Sequence, residues 1–229
     1  MAEASTNQSA ATPFTVERAL DRIAPTMAAY PKAAMFALAD EGYKSLFEQL
    51  ISCIISIRTY DEVSLPASRR LFSQARTPVS MAALSVDEIA TLIEPSTYGE
   101  RKAEQISAIA WQIVDHHGGE LPADVELLRS FSGVGPKCAH LALGVGSGQP
   151  YISVDTHVHR VVNRWGLVRT RTPEKTLAAL EGLVSRSRWV DINRILMPFG
   201  KYVCRTAAPQ CSSCPVEAGC QQVDVFNPQ

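Results

Sequence analysis

Long apolar runs are missing from this 229-residue chain. No stretch approaches the eighteen or so consecutive apolar residues of a membrane-spanning helix, so no membrane association is expected. A basic excess is missing too: 22 Lys and Arg face 23 Asp and Glu, for a net charge of −1. Bulk charge thus argues against a nucleic-acid binder but leaves room for a local positive face. Arg69–Arg70, Arg101–Lys102, Lys137, Arg160, Arg164, Lys201 and Arg205 are the candidates for one. Sustained strand alternation, internal repeats and low-complexity linkers are also lacking. Residues 1–13 hold neither a basic cluster nor an apolar h-region, so they read as a disordered tail rather than a targeting signal. Cysteine is scarce through most of the chain, with only Cys53 and Cys138 before residue 204.

What is present is helical periodicity throughout, which predicts an all-α protein. Amphipathic stripes mark helices over 15–30, closed by Pro31, and over 45–57, where Leu46, Leu50, Ile51, Ile54 and Ile55 form a broad apolar face. Thr59-x-x-Glu62 reads as a capping box for the next helix, with Pro66 early inside it. Ser80 and Ser85 begin short helices, and 101–117 is a long one stopped by Gly118–Gly119. Short helices follow near 124–130 and over 136–143. Asp155 opens another that stops at Gly166, Thr172–Pro173 starts the next, and the last runs over 189–203.

Four cysteines then crowd into one short stretch: Cys204, Cys211, Cys214 and Cys220, in the pattern C-x₆-C-x₂-C-x₅-C with no histidine among them. Four thiolates this close suit one soft metal centre. A [4Fe–4S] cluster leads, because such clusters take Cys₄ ligation from short loops. A Cys₄ zinc site is the first rival, although its ligand pairs are usually two to four residues apart. Two disulfides would need an oxidising compartment, for which the chain shows no export signal.

Upstream, Gly133-Val134-Gly135-Pro136-Lys137 joins two short helices. Glycines that leave N–H groups uncovered, followed by a helix N-terminus, make a nest for a phosphate. Lys137 lies inside that helix start, where the helix dipole and burial both favour a neutral amine able to act as a nucleophile. A lysine that merely neutralises the phosphate is the plainer alternative. Asp155, after the apolar run Tyr151–Val154, is an N-cap that can also face a cleft as a charge stabiliser. His157 either packs in a core or lines a pocket.

The hairpin, the Val154-Asp155-Thr156-His157 segment and the cysteine quartet, in this order and spacing, resemble the helix–hairpin–helix DNA glycosylases, specifically the endonuclease III branch. The resemblance spans roughly residues 20–222. It implies two helical lobes with a DNA-binding cleft between them: a six-helix lobe with the hairpin over 39–149, and a cluster lobe from 14–38 and 150–229. It implies a [4Fe–4S] cofactor on the four cysteines, Lys137 and Asp155 as the catalytic pair, and phosphate contact through Gly133, Val134 and Gly135. The partner implied is double-stranded DNA with damaged pyrimidines or abasic sites, met by a monomer in the cytoplasm, at the nucleoid. The activity implied is removal of oxidised pyrimidines followed by β-elimination at the abasic site.

Two positions depart from the family. Arg58 in Ser56-Ile57-Arg58-Thr59 stands where a glutamine usually fills the gap left by a flipped base. Tyr98 in Glu94–Gly99 stands where a leucine commonly wedges into the duplex. Both are candidate DNA contacts, with His157 and with Arg205 in the cysteine loop. Arg58–Thr59 also motivates an alternative, a mismatch thymine or uracil glycosylase. The altered gap and wedge residues motivate another: a damage-binding or redox-sensing protein with little catalysis.

Overall fold

The computed structural model describes residues 13–229; the tail expected over 1–13 lies outside them apart from Pro13. Twelve α-helices, and no strand, form among the described residues. In chain order they are α1 (Val16–Met27), α2 (Ala34–Asp40), α3 (Leu46–Ser56), α4 (Asp61–Gln74), α5 (Pro78–Ala82) and α6 (Val86–Leu92). After them come α7 (Gly99–His117), α8 (Val125–Ser130), α9 (Pro136–Gly146), α10 (Thr156–Arg164), α11 (Pro173–Glu181) and α12 (Trp189–Tyr202). No helix is long and apolar enough to cross a membrane.

Side-chain caps start most of them. Ser45 and Ser85 accept from the N–H of Glu48 and Glu88, whose carboxylates reach back to the cap N–H and complete capping boxes. Asp124, Asp155 and Thr172 cap α8, α10 and α11 in the same manner. Gly118, at φ +61°, ends α7.

Three local expectations need correction. Thr59 caps nothing: the N-cap of α4 is Tyr60, without a side-chain bond, because the Thr59 hydroxyl is engaged elsewhere. Ser80 is the third residue of α5, whose cap is Thr77. The seven-residue α2 escaped the sequence reading, as it has no side-chain cap to announce it.

Two hydrophobic cores organise the helices. The larger gathers α2 to α9 around Leu50, Ile51, Ile54, Phe72, Ile106 and Leu143, all at most 1 % exposed. The smaller joins α1 to α10, α11 and α12 around Leu20, Ile23, Trp165, Leu196 and Phe199, with Val216 from the cysteine loop. The division expected between residues 38 and 39 falls inside α2, and Met35 and Phe36 belong to the larger core. The helices built by 39–149 therefore number seven, not six, and α2 packs with them. α3 and α9 pack so closely that a Cβ on Gly146 would lie 2.7 Å from the Cα of Leu46.

Candidate functional site

The glycine hairpin connects α8 to α9. Gly133 sits at φ +81°, which calls for glycine, and a Cβ there would also push aside the end of the Gln105 side chain, 2.5 Å away. Gly135 differs from expectation: its φ is −90°, an ordinary extended N-cap, and the space beside it is open. Its lack of a side chain leaves the backbone approachable instead of permitting a turn. Among the described residues no acceptor meets the N–H of Gly133, Gly135 or Lys137. Three unfilled donors at the start of an eleven-residue helix make an anion nest. Val134 does not add to it, since its side chain is buried and its N–H bonds to Phe131 O at 3.1 Å.

Lys137 occupies the second position of α9, half-buried, at the seam between the two cores. The strand-like segment 151–155 is fastened to that helix by two bonds. Ser153 Oγ donates to Lys137 O at 3.1 Å, and His140 Nδ1 donates to Ile152 O at 2.8 Å. Asp155 follows directly. Its Oδ1 accepts from Val158 N at 2.8 Å and its Oδ2 from Asn193 Nδ2 of α12 at 3.4 Å. The carboxylate is thus a helix cap, as the plainer reading had it, and is also held next to the lysine.

The charge state of Lys137 differs from expectation. Burial pulls its pKa down, but Cys53, Asp155 and Asp61, when ionised, outweigh that pull and raise it. The resting ammonium keeps its proton. Cys53 and Cys138, both buried, lie behind it close enough for each to shift the other's pKa. The neighbouring Cys138 and the charge of Lys137 bring Cys53 down to about 7 against the effect of burial. Nothing in the sequence pattern had connected these two thiols, or Asn193, with the lysine.

The other candidates are placed as follows. Arg58 and Tyr98 are exposed, and both adopt left-handed backbone, at φ +52° and +58°. That conformation costs a non-glycine residue about 1–2 kcal/mol, and residues so held are concentrated at functional sites. His157 packs against α12, where a Cβ on Gly200 would meet its Cβ at 2.8 Å, and its ring accepts from Arg160 Nη2 at 3.2 Å. Arg205 curls back to donate to Ala208 O at 3.1 Å and is half-buried, so it is not displayed outward as expected.

Most of the remaining basic groups proposed to line a groove are also spent internally. Arg69 pairs with Glu41, and Arg70 bonds the carbonyls of Leu92 and Glu94. Lys201 binds Asp61 and Glu62, and Arg160 and Arg164 brace the cysteine loop.

Cys204, Cys211, Cys214 and Cys220 line one pocket beside Trp165 and Phe199. No three His, Cys, Asp or Glu side chains among the described residues converge tightly enough for a single metal ion. The donor set nevertheless suits a larger soft centre. Arg164 Nη1 lies 3.5 Å from Cys204 Sγ, and Gln222 N donates to Cys220 Sγ at 3.4 Å, contacts that favour thiolate charge. Burial lifts the Cys214 thiol to about 11 and also raises Cys211 and Cys220.

Comparison with known proteins gives this arrangement its context. Residues 51–186 match the model of the HhH-GPD superfamily of base excision DNA repair proteins. Endonuclease III of Thermotoga maritima is 40 % identical over 175 residues, covering 76 % of this chain and 82 % of that protein. Endonuclease III-like protein 1 of Mus musculus is 36 % identical over 177 residues, 76 % of this chain and 59 % of the longer mouse protein. Among solved structures, an endonuclease III–DNA complex superposes with a TM-score of 0.79 at 28 % identity, covering 90 % of this chain and 94 % of the other. The chain therefore belongs to the HhH-GPD superfamily, in its endonuclease III branch.

Proposed function

We propose that this protein is a base-excision repair DNA glycosylase with AP-lyase activity, that its substrates are oxidised pyrimidines in duplex DNA, and that it works as a monomer. The observation that carries the reading is the joining of Lys137 to the Asp155 segment by the Ser153 and His140 bonds, beside three unfilled backbone donors. A nucleophile, a carboxylate and a phosphate nest are what this chemistry needs at one place. The related structure described as an endonuclease III–DNA complex supports DNA as the partner.

In this reading the N–H groups of Gly133, Gly135 and Lys137 bind a backbone phosphate and set the register, which positions the duplex without reading sequence. The damaged nucleotide leaves the stack, and Arg58 and Tyr98 enter the duplex from their exposed loops. Lys137 first gives up its proton; its Nζ then bonds to the sugar C1′ as the bond from C1′ to the base breaks. The base departs with the electron pair and is protonated. Asp155 stabilises the positive charge developing on the sugar. Ring opening leaves an imine to Lys137, loss of a C2′ proton expels the 3′ phosphate, and water hydrolyses the imine to restore the amine.

The four cysteines are assigned to a [4Fe–4S] cluster. Bound there, it would cross-link the loop 204–220 against Trp165 and Phe199, and the chemistry at the lysine does not pass through it.

Borohydride trapping on duplex containing thymine glycol tests the assignment. Wild type should form a covalent adduct and Lys137→Ala should form none; a Lys137→Ala adduct in wild-type yield would reject the lysine. Arg58–Thr59 keeps one second reading in play, removal of mismatched thymine or uracil, which the same assay on G·T and G·U duplexes separates.

A further inference from the structure

A second lysine is less exposed along its whole length than Lys137 and, among the described residues, has no acidic partner. Lys102, on α7, is 3 % exposed. Its Nζ donates to Ile55 O at 2.6 Å, Ile57 O at 2.8 Å and Thr59 Oγ1 at 2.9 Å. An ammonium has three N–H donors, and here each meets one acceptor. Two of those acceptors are carbonyls at the C-terminal end of α3, where a cation is also favoured by the helix dipole. Burial brings this lysine down to about 8. Burying an ammonium is costly, and here the cost is offset only by the three bonds it makes, to two carbonyls and a hydroxyl of one turn.

What the three bonds hold is the turn 55–59, which carries Arg58 at its exposed tip. The same Thr59 oxygen accepts the N–H of Thr97 at 3.2 Å. Thr97 directly precedes Tyr98, 65 % exposed, and so anchors its loop to the same network. One buried ammonium and one hydroxyl thus connect two loops some forty residues apart in sequence, both bearing exposed side chains on left-handed backbone. Left-handed backbone persists in such residues only where the surroundings over-determine it.

We infer that Lys102 is a positioning residue for base extrusion, its ammonium fixing the spacing at which Arg58 and Tyr98 enter the duplex. The inference rests on the glycosylase reading given above. Misplacement of entering groups by about 1 Å is enough to cost on the order of a hundredfold in rate, so a keystone of this kind has a measurable effect.

The test uses the full chain and Lys102→Met, which keeps the side-chain length and removes the donors, with Thr59→Val as the second variant. The probes are a duplex carrying a non-reactive tetrahydrofuran abasic analogue beside 2-aminopurine, the matching undamaged duplex, and two reactive substrates, the thymine glycol duplex and a single-stranded abasic oligonucleotide. Lys102→Met should lose about tenfold in preference for the analogue over undamaged duplex and lose the 2-aminopurine fluorescence rise. Its duplex excision should fall by at least as much, while trapping on the single strand, which needs no extrusion, stays within about twofold of wild type. Thr59→Val should move the same way by a smaller factor, and it decides the matter alone if Lys102→Met does not fold. Wild-type fluorescence and preference in the variants would overturn the inference, as would an equal loss on duplex and single strand that tracks a fall in Tm. A wild type that traps with neither reactive substrate would instead reject the glycosylase reading, and the analogue preference would still decide the role of Lys102.

Discussion

At Asp155 a single carboxylate serves as helix cap and as charge, and the two roles separate by substitution. Asn caps nearly as well as Asp, so Asp155→Asn should leave stability within a few tenths of a kcal/mol, while Asp155→Ala should cost about 1 kcal/mol. Both should slow single-turnover excision, so melting curves and kinetics together distinguish cap from catalyst. The Asp155 charge raises the Lys137 pKa, whereas burial lowers it. Removing that charge makes the ammonium easier to deprotonate, so the limb along which imine formation rises with pH should move to lower pH in Asp155→Asn. A pH profile of borohydride trapping, each variant scaled to its own plateau, checks the sign. A limb unmoved or displaced to higher pH would mean that Asp155 does not set the charge state of the lysine.

Legibility at this scale depended on whether a residue's partner was close in sequence. Ser85 with Glu88, Asp124 and Asp155 were readable as caps because the cap bond reaches only three residues on. Thr59 carried the same signal, but its oxygen is taken by Lys102 and Thr97, a choice that only the folded chain makes. The raised pKa of Lys137 was unreadable for the same reason, since Cys53 reaches it from α3.

Among the elements, the close crossing of α3 and α9 sets where the hairpin stands. Gly146→Ala would drive a methyl into the Leu46 backbone, which cannot move as a side-chain tip can. Overpacking of this kind should cost about 1–3 kcal/mol, read as a lower urea midpoint at unchanged slope. The wild-type midpoint in Gly146→Ala would show that the two helices have slack. Helix positions were largely readable, because apolar stripes and caps agree over runs as long as α3 and α7. α2 was missed: it is short, lacks a cap bond and shows its purpose only in Met35 and Phe36, which join the larger core. The αL conformation of Arg58 and Tyr98 had no signal either, because neither residue type favours it.

For the molecule as a whole, the smaller core is closed by the cysteine loop through Val216, fully buried against Trp165 and its neighbours. Cys211→Ala should therefore abolish the broad absorbance near 400 nm expected of a [4Fe–4S] centre and lower Tm by at least ~4 °C, about what 1–2 kcal/mol does in a chain of this size. Visible spectra and calorimetry on the two proteins check this; an unchanged Tm in the colourless variant would make the cluster dispensable for folding. The near-zero net charge also makes sense at this scale. Arg160, Arg164 and Lys201 are wholly or partly buried and act as internal ties, while Arg69 and Arg70 stay exposed although bonded, so the sequence could count the cations but could not tell which were free to face a polyanion.

The interleaving of the two cores carries a consequence for biosynthesis. The buried members of the larger core all fall within residues 33–143, with Val145, Tyr151, Val190 and Met197 only partly buried against it, whereas α1 shares its core with Ile152, Val154, α10 to α12 and the loop beyond. A chain leaving the ribosome can thus complete its middle while the apolar face of α1, with Val16, Ala19, Leu20 and Ile23, stays uncovered for some eighty residues more. The cysteine loop is made after α12, so the docking of Val216 and the shelter of α1 come late and together. A nascent chain arrested near residue 200 should expose α1 to protease or chaperone while the middle of the protein resists both.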